Sequence, residues 1–342
     1  MSDDTTAEVG SDSDGEKRLV RQPWPRVAGR PGFTQGRYGA VGNLELVACA
    51  VDDGLWVGWF NSDRIDTMEG AAVGQWSGAL RFGRGPRFVS ASITQVHAGP
   101  DWLEVVALTD LGELRRLVWS PDEGFVEHGT LAEQVVAASA LVEQPDGRYV
   151  AVVTGAAGIR ALTAIPGDRY PVISFRESKV EWACVGRAPE SGDVLDVDAA
   201  WHIDHLDVLV VAGGRPHLRC PTWSPGSPAL LDDVTTARLA VAGEATGIAA
   251  VTPSGHGMLI EVCAGASAVN RVHLGPAEQA SIGVVTHDDG PSWHVVVSAA
   301  GSLRHHTIAI GTGSRQIHRS VGDPVEAVVW AEPGATTVHR DA

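Results

Sequence analysis

LELVACAVDDGLWVGWF, residues 44–60, is two apolar runs parted by Asp52-Asp53-Gly54. Short runs rich in Val, Leu and Trp and bounded by Asp and Gly form strands, and an acid–glycine turn supplies the positive φ that a hairpin needs. The figure returns at LEVVALTDLGELRRLVW (103–119), YVAVVTGAAGIRALTAI (149–165), DVLVVAGGRPHLRCPTW (207–223), IAAVTPSGHGMLIEVCA (248–264) and WHVVVSAAGSLRHHTIA (293–309). The starts lie 41 to 59 residues apart, and a four-stranded propeller blade takes about 40–50 residues. The longer intervals carry insertions near 61–75 and 184–198.

A four-stranded sheet cannot bury both faces alone; blades stacked around an axis bury them and leave only short edges. The expected fold is therefore an all-β propeller of six four-stranded blades. A seventh would form if 24–42 joined the C-terminal run 326–340, and a β-sandwich is the alternative architecture. Val, Ala and Gly in the first strand of each hairpin suit packing on both faces near a crowded axis. The Gly-, Arg- and Pro-rich stretch 24–42 reads as an irregular lead-in. LAEQVVAASALVEQ (131–144) reads as an innermost strand, with a short helix as the other reading.

Of the 342 residues 44% are hydrophobic and 20% charged, a globular composition. Residues 1–22 are acidic and poor in apolar side chains, so a disordered tail is expected there, with one propeller domain over 23–342. The net charge is −16, and Asp3, Asp4, Glu8, Asp12, Asp14 and Glu16 carry part of it. No cluster of Lys or Arg is present to bind a phosphate backbone, so neither nucleic acid nor an anionic membrane is an expected partner. Cys49, Cys184, Cys220 and Cys263 form no CxxC pair and read as free thiols. With no leader pattern and no apolar run of membrane-spanning length, the expected location is cytoplasmic.

Between residues 44 and 119 the repeat resembles the tectonin and PLL-like lectin propellers. The resemblance rests on Leu44-Glu45, Asp53-Gly54, Trp59, Trp76-Ser77, Leu103-Glu104-Val105 and Trp119. It implies sugar sites between blades, where a C–H face packs on an aromatic ring and hydroxyls meet polar side chains. Trp59, Trp76 and Trp119 are then the platforms, with Glu45, Glu104 and Arg115 or Arg116 as partners. The other reading of these tryptophans is that they pin one blade to the next.

DVLDVDAAWHIDHLD (193–207) is the densest cluster of metal-type side chains. Asp196, Asp198, His202 and His205 are the candidate ligands of a divalent metal, beside Asp193, Asp204 and Asp207. On one continuous strand His202 and His205 face opposite ways, so only a turn between them lets both hold one ion. His305-His306 reads as a satisfied cross-strand pair. No G-x-S-x-G elbow and no strand–turn–helix context for a dinucleotide loop is present.

These features favour a non-enzymatic recognition or scaffold propeller that needs no cofactor and binds a carbohydrate or a protein partner, as a monomer or as an accessory subunit of a larger assembly. The alternative is an enzyme with a divalent metal or an acid–base pair at the central channel.

Overall fold

The computed structural model describes residues 24–39, 42–62, 71–97, 101–164, 174–179, 194–219, 233–263, 269–287, 290–311 and 316–321. The expected tail, Cys184, Cys220, Asp193 and the run 326–340 lie outside them.

The described strands group into six consecutive blades, each antiparallel within itself, with blades 1 and 2 joined at the axis by a parallel bridge between Arg30 and Ser90. Blade 1 holds β1 (Val27–Gln35), β2 (Leu44–Ala50), β3 (Leu55–Phe60) and β4 (Leu80–Phe82). Blade 2 holds β5 (Phe88–Val96), β6 (Trp102–Thr109), β7 (Leu114–Ser120) and β8 (Gly124–Ala132). In blade 3 the innermost strand is broken into β9 (Val135–Ala138) and β10 (Val142–Glu143), followed by β11 (Tyr149–Gly155), β12 (Gly158–Ala164) and β13 (Arg176–Lys179). Blade 4 holds β14 (Val194–His202), β15 (His205–Ala212) and β16 (Arg215–Arg219). Blade 5 holds β17 (Thr236–Ala242), β18 (Ala245–Val251), β19 (His256–Cys263) and β20 (Val269–Pro276). Blade 6 holds β21 (Gln279–His287), β22 (Gly290–Ala299), β23 (Ser302–Ala309) and β24 (Gln316–Val321).

The six hairpins read from the sequence are the second and third strands of the six blades. Two expectations need correction. Residues 27–35 are not an irregular lead-in but the innermost strand of blade 1, so they are not free to build a seventh blade. The strands nearest the axis are the ones before each hairpin, not the hairpins' own first strands. Stretch 131–144 is strand, as expected, with the end of β8 followed by β9 and β10.

The ring closes by packing blade 6 on blade 1. The Val27 amide donates to the Gly301 carbonyl at 3.0 Å. Leu44, Leu46 and Ala48 of blade 1 share a core with Val285, Val296 and Leu303 of blade 6. Every residue of β2 and β11 is buried, as a strand covered on both faces requires.

Strand alternation separates the two faces of each blade. On β6, Leu103, Val105 and Ala107 pack against blade 1, while Val106 and Leu108 pack against blade 3. Glu104 shares the parity of Val106 and so points at blade 3. By the same argument Glu45 points at blade 2 and Asp207 at blade 5. These three acids occupy one repeated position, in Leu44-Glu45, Leu103-Glu104 and Leu206-Asp207, at the start of the second strand. They therefore lie toward one mouth of the ring, with the loops that join first to second strands.

Candidate inter-blade site on one face of the ring

Antiparallel pairing brings the C-terminal end of each third strand to that same mouth. Trp59 sits opposite Glu45, and Trp119 sits opposite Leu103. Trp76 bridges to Phe60 at the same end of blade 1. Trp59, Trp76, Trp119, Glu45 and Glu104 are thus gathered on one face, with Arg115 toward the other end of blade 2, but each tryptophan is buried. Trp59 and Trp119 lie in the core between blades 1 and 2. Trp76 lies between blades 6 and 1, its ring 5.4 Å from those of Phe60 and His305. As placed, all three pin blades together. The Trp-Ser pair has a local reason: Ser77 Oγ accepts the Trp59 amide at 2.9 Å and donates to the Gly78 carbonyl at 2.7 Å, which fixes the outer edge of blade 1.

The polar partners divide. Glu104 is fully buried and accepts two bonds from Arg116 Nε, at 3.0 and 2.9 Å. Glu45 is buried too and accepts from the Asn43 amide. Arg115 points the other way, donating to Glu113 at 2.7 Å and to Glu127 at 3.2 Å, which holds its guanidinium above its ordinary range.

Toward the rim of the blade 2–blade 3 junction is a more accessible group that the sequence reading passed over. Trp102 is half-buried against the core of that junction. On the blade 1 side of the same loop, Gln95 accepts the Arg37 amide at 3.2 Å and donates through Nε2 to the Trp102 carbonyl at 3.0 Å and to Asp101 Oδ1 at 3.3 Å. Across the junction, Glu143 of blade 3 accepts the His97 amide at 3.0 Å and lies 2.8 Å from His97 Nδ1. Beneath them Tyr149 is buried, its phenol pushed well up by burial and then by the charges of Glu143 and Glu104. One signal was present in the sequence: Trp102 directly precedes the Leu103-Glu104 pair that marks the blade.

The acid–histidine cluster 193–207 splits in two. Asp196 and Asp198 lie on β14 at the axis, while His202 and His205 flank a two-residue turn at its far end. Six strand residues separate Asp196 from His202, roughly 20 Å, so the four expected ligands do not converge on one ion. The turn between the histidines does exist, and it brings their ring centroids to 5.1 Å.

At the axis Asp196 accepts from Arg30 at 3.0 Å, from Arg238 at 2.7 Å and from the Thr236 hydroxyl. Asp198 accepts the Leu239 amide at 2.9 Å and the Ala140 amide at 3.3 Å. A cavity of about 50 Å³ runs beside Arg30, Ser92, Asp198, Arg238 and Ser281. Ligand pockets hold roughly 300–1,000 Å³, so this one takes a few waters. Here the charges at the axis are paired with one another across blades, as a structural plug.

Burial pushes the Asp198 carboxyl up to about 6, against the lowering effect of Arg30. Its folded value is above the unfolded one, so this group contributes stability below about pH 4 and loses it as pH rises through about 6. Asp198→Asn is therefore expected to raise stability at pH 8 by about 1–3 kcal/mol, with the advantage shrinking toward pH 5. Urea midpoints of both proteins across that range test it; a variant less stable at pH 8 than at pH 5, relative to wild type, contradicts it. Cys49 is equally closed off, its thiol pushed up to about 12 by burial.

A scan against protein-family models and a search of curated proteins return no match. Solved structures do match. The Aleuria aurantia lectin, described with a six-bladed β-propeller fold and a novel fucose recognition mode, aligns at 11% identity and TM-score 0.56, over 88% of this chain and 99% of that one. The BP39L lectin from Burkholderia pseudomallei aligns at 16% identity and TM-score 0.54, over 88% of each chain. AofleA from Arthrobotrys oligospora aligns at 13% identity and TM-score 0.54, over 93% and 96%. The chain has the fold of these lectin propellers. The six blades of the described strands match the six-bladed description of the Aleuria aurantia lectin. At this identity the likeness speaks to the fold alone. The likeness is to lectin propellers in general and does not single out the tectonin and PLL-like lectins that residues 44–119 resemble.

Proposed function

We propose that this lectin-fold propeller is a non-enzymatic recognition protein that binds a carbohydrate between blades, on the face where Trp102, His97 and Glu143 lie. The observation that carries the reading is the blade 2–blade 3 junction. There the half-buried Trp102 packs on the junction core, and the Glu143 carboxylate and His97 imidazole pair across the same junction. An aromatic flank with polar groups at its edge suits a sugar, whose C–H face packs while its hydroxyls bond. Recognition rather than turnover is supported by Glu45, Glu104 and Asp196, which are buried and tied to asparagine or arginine.

The neighbouring lectins named for fucose make a 6-deoxyhexose the first probe. Leu-Glu and Trp-Ser in blades 1 and 2 support a likeness to the tectonin and PLL-like lectins. Calorimetric titration with methyl α-L-fucoside, followed by a glycan array, tests the proposal. Binding is expected, and Glu143→Gln is expected to weaken it by at least about tenfold, some 1.4 kcal/mol. An array without signal, or a protein captured through this same face, would replace the sugar reading with a scaffold one.

A further inference from the structure

We propose that the hairpin tip of blade 4 is a zinc-type metal site formed by His202, His205 and Asp207, independent of any sugar site. The two histidines pair across the turn Ile203-Asp204, and Asp207 lies two residues into the returning strand. One ligand atom from each of the three falls within 4.8 Å of the others. His202 Nδ1 is 3.1 Å from Asp207 Oδ2, and His205 Nε2 is 3.1 Å from Asp207 Oδ1. Ligands about 2.0–2.1 Å from a tetrahedral zinc ion stand about 3.3 Å apart, so these separations are those of a coordination edge.

Hydrogen bonding points the same way. His205 Nδ1 lies 2.8 Å from Asp204 Oδ1. That contact engages Nδ1, and Nε2 is the His205 nitrogen that lies beside Asp207, 3.1 Å from Oδ1. Asp207 is fully buried, and its Oδ1 receives no hydrogen bond. A buried carboxylate oxygen with no hydrogen bond, on a carboxyl flanked by two imidazole nitrogens at 3.1 Å, is an acceptor that a metal ion would satisfy. A carboxylate bonded to the far nitrogen of a ligating histidine is also the usual support of a metal-bound imidazole. The turn is costly as well: Ile203, β-branched, takes a φ of +52°, and a clamp on both sides of it offsets that strain. Two imidazoles with one carboxylate suit Zn²⁺ among divalent ions and leave a fourth position for water or an oxygen ligand.

The test uses full-length protein without a polyhistidine tag, stripped with a chelator and titrated with zinc chloride. Metal content is read by mass spectrometry and affinity by calorimetry. One zinc per chain is expected in the wild type and in His256→Gln, an exposed control. The half-exposed His205→Gln is expected to lose the site. Asp204→Asn, on the surface, is expected to weaken it by about 10–100-fold without loss of fold. No saturable uptake, or equal uptake by His205→Gln, overturns the proposal. So does a nitrogen NMR spectrum that shows both His205 nitrogens protonated at pH 7 and unchanged by zinc, since a proton on Nε2 then satisfies Asp207 Oδ1.

Discussion

Glu104→Ala is expected to remove about 3–5 kcal/mol of stability, the cost of breaking a buried ion pair from one side. Glu104 is 0% exposed and Arg116 2%. Their contact lies inside the blade 2–blade 3 junction, with Val106, Leu108 and Tyr149 around it. A guanidinium does not give up its proton, so removing its partner leaves a charge in an apolar wall. Three further variants isolate that cause. Glu104→Gln keeps an acceptor for Arg116 and should cost less. Arg116→Met alone should be costly too, because it strands the carboxylate. The double variant Glu104→Leu/Arg116→Met should recover most of the loss, since a packed apolar pair of similar volume replaces two desolvated charges. Equilibrium urea unfolding of these proteins, with the single Glu104→Leu added to close the cycle, gives the coupling energy directly. A single-variant cost under about 1 kcal/mol, typical of a surface pair, would mean that this junction is open to water.

Trp76→Ala is expected to cost about 3–5 kcal/mol as well, by the cavity it leaves. Trp76 is 2% exposed and lies where the last blade meets the first. Phe60 and His305 pack on it from blades 1 and 6, the latter edge-on. His305 in turn lies 2.8 Å from His294, so the indole covers a buried imidazole pair. Truncating it empties the seam that closes the ring. Trp76→Phe, which refills most of that volume, should recover more than half of the loss in a thermal or urea midpoint. A near-neutral Trp76→Ala would show that the ring faces solvent and restore it as a sugar platform.

How much of this was legible in the sequence follows from which contacts are local. The hairpin strands announced themselves because both of their faces are covered by neighbouring blades, giving apolar runs that end at turn residues. β1 did not, because the axis demands a different composition. Gly32 is there since a Cβ would come within 2.5 Å of Ser92 Cα. Arg30 is there to meet Asp196 across the ring. A strand containing Arg, Gly and Pro at close spacing looks like a loop until its partners are known. The tryptophans show the same limit. Alternation says which face of a blade Trp59 or Trp119 occupies, but only the next blade decides whether that face is a groove or a core. The rim group was harder still, because His97 and Glu143 lie on different blades. In blade 4 the His-x-x-His spacing was visible, and the turn that makes it useful was not. Asp207 reads as one more member of the Leu-Glu/Leu-Asp series until the register places it beside both histidines.

The central claim is that recognition belongs to the rim tryptophan and blade cohesion to the buried ones. A single paired experiment tests it most directly: calorimetric titration of methyl α-L-fucoside and thermal unfolding on wild type, Trp102→Ala and Trp76→Ala. The account predicts that Trp102→Ala weakens binding by at least about tenfold while its midpoint stays near wild type, and that Trp76→Ala lowers the midpoint most. Sugar binding undiminished in Trp102→Ala would contradict it.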